Sequence, residues 1–143
     1  MENAIIKHVL IVEDEQSIRD ILVELFEVEG NRVVSVETLA EAISALRAQP
    51  FDLVVTDLRL GGKRDGGLQV MAMAGMVSYS ATVIALTAYP DDANRQAANR
   101  LGALHFLEKP VDLHTIASLA SDAGVGTAFS EGVAGPGELS VAR

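Results

Sequence analysis

The stretch Phe51-Asp52-Leu53-Val54-Val55-Thr56-Asp57-Leu58-Arg59-Leu60 decides the fold. Four of the five residues from Leu53 to Asp57 are apolar or β-branched, the pattern of a strand buried on both faces of a parallel sheet. The strand ends in a carboxylate, and a glycine-rich break follows, from Gly61-Gly62 to Gly66-Gly67. In open α/β sheets the edge where strands give way to loops is where ligands bind.

The same pattern recurs on either side of this stretch. Val9–Val12 is a first buried strand, stopped by Glu13, Asp14 and Glu15. A helix follows with Ile18, Ile21, Leu22, Leu25 and Phe26 at helical spacing, ended by Gly30-Asn31. Arg32–Val36 is a second strand. Thr38-Leu39-Ala40-Glu41 reads as a capping box for a helix whose inward face is Leu39, Ala42, Ile43 and Leu46, and Pro50 bars its continuation. Beyond the central strand, Leu68 to about Tyr79 reads as a helix without a single charge. Thr82–Thr87 is a fourth strand, and Pro90-Asp91-Asp92 opens a helix that runs to about Leu101 and stops at Gly102. Ala103–Leu107 is a fifth strand, ending at Glu108-Lys109-Pro110, and Asp112 caps a last helix with Leu113, Ile116, Leu119 and Ala120 inward. Five strands alternating with five helices predict a doubly wound parallel sheet covered on both faces, with right-handed crossovers. From Gly124 the composition changes: the last twenty residues hold five Gly and one Pro, and 124–143 reads as a flexible Gly-rich tail behind one folded domain, 1–123.

Composition narrows the functions. The chain has 143 residues, 49% hydrophobic and 4% aromatic, which suits one aliphatic core. A formal charge of −9 without a basic patch argues against direct nucleic-acid binding. There are no cysteines, hence no disulfide framework or thiolate metal site. The start lacks the basic and apolar regions of a signal peptide, and no apolar run approaches the ~18 residues of a membrane span. The expected compartment is the cytoplasm.

Four strands deliver a reactive group to one sheet edge: Glu13 and Asp14, Asp57, Thr87, and Lys109. Any one alone has an ordinary structural role open to it, as a helix-start acid, a strand threonine or a solvated lysine. Together at successive strand ends they point to chemistry. Three carboxylates packed together raise one another's pKa unless a cation lies between them. Hard oxygen donors without His or Cys suit Mg²⁺, which favours one or two carboxylates plus a phosphate oxygen. Thr87 and Lys109 suit the other side of a phosphoryl clamp. Asp57, at the centre, is the best-placed nucleophile for an aspartyl-phosphate. His8, His105 and His114 show no ligand spacing and read as structural or surface residues.

These residues carry a family likeness. Val9-Leu10-Ile11-Val12-Glu13-Asp14-Glu15, Asp57 after its strand, Leu86-Thr87-Ala88, and Gly102-Ala103 with Phe106-Leu107-Glu108-Lys109-Pro110 resemble the receiver domain of bacterial response regulators, over about residues 7–123. The likeness is to single-domain chemotaxis-type regulators and implies a flavodoxin-like fold with strand order 2-1-3-4-5. It implies that a histidine kinase or histidine phosphotransfer protein donates a phosphoryl group to Asp57. It also implies that Glu13, Asp14, Asp57 and the backbone carbonyl of Arg59 hold Mg²⁺, and that Thr87 and Lys109 bind phosphoryl oxygens. Phe106 matches the switch aromatic, and the Lys109–Pro110 bond is expected to be cis. A receiver of this kind is not a conventional enzyme, though it promotes its own phosphorylation and dephosphorylation.

Two departures stand out. The Gly61–Gly67 loop is longer and lacks the usual proline, so its conformation is not carried over. The helix after it is uncharged, and Met71, Met73, Met76 and Val77 suggest an adaptable contact patch. A flavodoxin is excluded, because Glu13-Asp14-Glu15 would repel a phosphate where FMN needs a phosphate loop. An aspartyl-phosphate hydrolase would need an acid where Arg59 stands. At this length no DNA-binding or enzymatic output domain is expected in the chain. One further reading stays open: a docking or dimerisation module in which phosphorylation is secondary, or the receiver piece of a larger regulator. A homodimer is among the allowed partners; the downstream target is not legible.

Overall fold

The computed structural model describes residues 5–62, 66–78 and 80–131. The elements, in chain order, are β1 (Lys7–Val12), α1 (Gln16–Phe26), β2 (Asn31–Val36), α2 (Leu39–Ala48), β3 (Leu53–Asp57), α3 (Gly66–Val77), β4 (Thr82–Thr87), α4 (Asp92–Arg100), β5 (His105–Glu108), α5 (Leu113–Asp122) and α6 (Ala128–Glu131). The strands form one parallel sheet in the order β2-β1-β3-β4-β5, which is the expected flavodoxin-like topology.

Alternation along the strands divides the core in two, because successive side chains leave a strand on opposite faces. Leu10, Val12, Val54, Val83 and Ala85 point to one face and pack under α2, α3 and α4. Val9, Ile11, Leu53, Val55, Ile84 and Leu86 point to the other and pack under α1 and α5. Every residue of β3 is buried, as its apolar run requires. The helix starts are as the sequence predicts. Thr38 Oγ1 accepts from Glu41 N at 3.1 Å, Asp91 from Asn94 N at 2.8 Å, and Asp112 from His114 N at 2.9 Å. Ile21 departs from the expected inward face of α1: it sits on the flank of the stripe and is 46% exposed.

The structure revises three expectations. First, α3 begins at Gly66 rather than Leu68 and ends at Val77; Tyr79 lies outside the described residues. Gly67 donates its N–H to Leu58 O at 2.8 Å, and a Cβ there would stand 2.6 Å from Leu58 Cα. This glycine is a close approach of helix to strand, not a loop residue. Second, the methionine patch shrinks. Met71 is fully buried and Met73 packs against the core, which leaves Met76 at 76% exposure beside Val77 at 39%.

Third, the described residues contain a sixth helix, and the segment after Gly124 is packed where a flexible tail was expected. Val125 and Thr127 are 1% and 0% exposed, the Phe129 ring stacks on His114 at 4.2 Å, and Asn31 Nδ2 donates to Gly126 O at 2.9 Å. Composition concealed a local signal. Thr127 Oγ1 accepts from Ser130 N, and Ser130 Oγ accepts from Thr127 N, so the two close a capping turn. Residues 132–143, the rest of the expected tail, lie outside the described residues, as does the middle of the Gly61–Gly67 loop. Among the described residues no helix is long and apolar enough to cross a membrane.

Candidate functional site

Backbone bonds that carry the sheet ladder past its strand ends hold the loops in line. Glu13 N donates to Val36 O at 3.0 Å, Leu58 N to Leu86 O at 2.9 Å, and Lys109 N to Thr87 O at 2.8 Å. The residues at those ends therefore meet. Glu13, Asp14 and Asp57 each offer a carboxylate oxygen, and the three oxygens lie within 4.8 Å of one another. From the far side, Lys109 Nζ lies 3.0 Å from Glu13 Oε1 and 3.1 Å from Asp57 Oδ2. The Lys109–Pro110 bond is cis, as expected.

Burial differs across the cluster. Glu13 is wholly buried, Asp57 nearly so at 6% exposure, and Asp14 is exposed. Burial, and then repulsion from Asp57, push the Glu13 carboxyl up to about 7 against the pull of the Glu15 amide and Lys109. Burial also raises Asp57, although Lys109 and the Arg59 amide oppose it. Burial works against the Lys109 ammonium, but its bond to Glu13 and the charge of Asp57 outweigh that and raise it. Fully ionised, three carboxylates against one ammonium leave two negative charges unbalanced. A divalent cation among the three oxygens removes that imbalance, and an all-oxygen donor set fits a hard cation.

The surrounding loops present donors and a space. Asp14 Oδ2 accepts from Gly61 N at 2.8 Å, tying the loop after β3 to the acidic turn. Gly61 and Gly62 have φ of +57° and +80°, a conformation that favours glycine. Asp57 Oδ1 accepts a long bond from Arg59 N at 3.4 Å, so Arg59 sits directly beside the carboxylate. Thr87, 3% exposed, accepts from Tyr89 N at 2.8 Å through Oγ1, leaving the hydroxyl proton to be donated. A cleft of about 130 Å³, lined by Leu58, Arg59, Thr87, Tyr89, Asp91 and Asn94, opens between the loops after β3 and β4. In its lining the Arg59 guanidinium lies 4.3 Å from the Tyr89 ring centroid.

Glu13, Asp14, Asp57 and Lys109 are thus in one cluster with Thr87 on the neighbouring strand. Phe106 is half-buried on β5, with the Arg95 guanidinium 4.6 Å over its ring. The three histidines join no metal-binding group among the described residues. Sequence reasoning missed Gly67, the Gly61 amide and the Tyr89 amide. Glycine spacing was the one available hint, and it reads as loop.

The chain matches the family described as response regulator receiver domain over residues 9–121. It is 34% identical over 116 residues to the transcriptional regulatory protein GlrR of Escherichia coli K12, covering 81% of this chain but 26% of that one. It thus spans about a quarter of that relative's length. It is 30% identical over 108 residues to sporulation initiation phosphotransferase F of Bacillus subtilis, covering 76% of this chain and 86% of that one. Among solved structures it is similar to a Burkholderia pseudomallei response regulator with a phosphorylated aspartic acid and a calcium ion. That match has a TM-score of 0.72 and 28% identity, covering 82% of this chain and 69% of that one.

Proposed function

This chain belongs to the response regulator receiver domain family, and from that premise we propose that it receives a phosphoryl group on Asp57 and signals through contacts with other proteins. The carrying observation is the Lys109 ammonium bridging Glu13 and Asp57 beside three convergent carboxylates. The proposed donor is a phosphohistidine on a histidine kinase or histidine phosphotransfer protein, and the proposed compartment is the cytoplasm. In the transfer the P–N bond to the donor imidazole breaks and a P–O bond to the Asp57 carboxylate forms. The imidazole nitrogen leaves with the electron pair and takes a proton.

Glu13, Asp14, Asp57 and the Arg59 carbonyl are the residues that would hold Mg²⁺. When bound, the metal supplies positive charge against the equatorial oxygens of the transferring group. The chain's own part is positional. Lys109 already sits on Asp57 and needs only to pass from the carboxylate to a phosphoryl oxygen. Thr87 has a proton to donate. Arg59 and Tyr89 line the cleft beside Thr87. Phe106 is the proposed switch residue, following Thr87 as that hydroxyl turns toward the phosphoryl group.

The test is intact-mass analysis after treatment with acetyl phosphate and Mg²⁺. The wild type gains one phosphoryl group, and Asp57→Ala gains none. Equal uptake by Asp57→Ala would remove Asp57 from this role. No uptake by the wild type would instead favour a docking or dimerisation module. Asp14→Ala should bind Mg²⁺ more weakly, since the cation then loses one of its carboxylates.

A further inference from the structure

Glu13 is held at every polar atom. Its N–H goes to Val36 O, Oε1 to Lys109, and Oε2 to the Glu15 N–H at 3.0 Å. The fourth partner lies one turn into α1. Arg19 Nη1 donates to Glu13 O at 2.8 Å and lies 3.3 Å from Glu37 Oε1, the residue after Val36. Its side chain is 16% exposed, against 55% for Glu37. Glu37 is in turn held through its N–H by Glu41 Oε1 at 3.0 Å. Glu13, Val36, Glu37 and Arg19 thus close a ring that fastens the acidic turn to the end of β2, the edge strand.

We infer that Arg19 is a positioning residue for the divalent-cation site: its bond to the Glu13 carbonyl fixes the turn that presents Glu13 and Asp14. The inference rests on the cation site of the proposed function. It is not the obvious electrostatic reading. A cation beside a cluster of carboxylates opposes a second cation, so charge alone says that removing Arg19 tightens Mg²⁺ binding. Positioning says the reverse. When Glu13 loses the donor to its carbonyl, that part-buried acceptor is left unpaired and the turn relaxes, so the carboxylates no longer meet at one point.

The experiment is calorimetric titration of the full chain with Mg²⁺. Arg19→Met keeps the apolar stem and removes both charge and donors. Arg19→Gln removes the charge but keeps an amide donor. Positioning predicts that Arg19→Met binds Mg²⁺ about tenfold more weakly, the low end for loss of an outer-shell partner. Arg19→Gln should recover part of that loss. Glu37→Ala should change affinity little, because its ion pair is the exposed half of the arrangement. Tighter binding in both Arg19 variants would establish the charge reading and overturn this one, and so would unchanged affinity. Circular dichroism on the same samples checks folding. If Arg19→Met does not fold, Arg19→Gln still decides: binding as tight as wild type or tighter overturns the inference, and weaker binding supports it. Phosphoryl uptake is read separately. A wild type that binds Mg²⁺ but takes no phosphoryl group defeats the proposed function and leaves the role of Arg19 to the titration.

Discussion

Glu13 and Asp57 share one cation, Lys109, and both carboxyls are harder to ionise than usual. The Glu13 carboxyl goes from 4.5 to about 7 on folding, so between those values the folded chain holds more protons than the unfolded one. Stability should therefore fall as pH rises through that window. Mg²⁺ needs the ionised form and competes with those protons. The rise in melting temperature on adding Mg²⁺ should be small at about pH 5 and grow as pH rises through about 7. The chain has no Trp, so circular dichroism is the natural probe; an increment independent of pH would detach Glu13 from the metal. These groups were legible because parallel topology alone gathers strand ends. The Arg59–Tyr89 stack was not, since it depends on side-chain geometry in two loops. That contact is worth about 0.5–1 kcal/mol at an exposed site. The aspartyl-phosphate should be lost severalfold faster in Tyr89→Glu than in wild type. A phosphate-release time course checks this, and equal rates would leave the stack without a role in access.

Among the helices, α3 is where sequence and structure part most. It is uncharged, its first two glycines, Gly66 and Gly67, read as a loop, and its glycines differ in kind. Gly67 lies against the β3 backbone, while Gly75 has nothing within 4 Å of a Cβ. Helix propensity favours alanine over glycine by about 1 kcal/mol in a helix interior. At Gly75 that preference should stand, so Gly75→Ala should stabilise by up to about 1 kcal/mol. At Gly67 the added methyl meets backbone that cannot swing aside, and Gly67→Ala should cost about 2 kcal/mol or more. Urea unfolding of the pair measures both, and the opposite signs are the result to look for. Stabilisation at Gly67 would mean that α3 does not sit on β3 as described. Because Leu58 and Arg59 follow Asp57 directly, a shift there should also slow phosphoryl uptake.

The sheet and the helices around it follow from strand-length apolar runs and caps, which is why the fold was readable. The end of the domain was not, because five glycines in twenty residues mask a segment that packs. Its attachment uses side chains from elsewhere in the chain. Asn31 donates at 2.9 Å to both Phe26 O and Gly126 O, joining the end of α1 to the segment before α6. His114 of α5 receives the Phe129 ring, and Val125 closes the core under α1 and α5. A loose tail could be removed without effect. A packed one could not, since burying Val125 and part of Phe129 is worth about 1.5–3 kcal/mol for each fully buried side chain. Ending the chain at Gly124 should lower stability by about 2–4 kcal/mol and move the urea midpoint down with little change in slope. Asn31→Ala should lower it by about 1–2 kcal/mol through two lost hydrogen bonds. An unchanged midpoint in both would detach this segment from the domain. A loss in the truncated chain alone would place the attachment in Val125 and Phe129 rather than in Asn31.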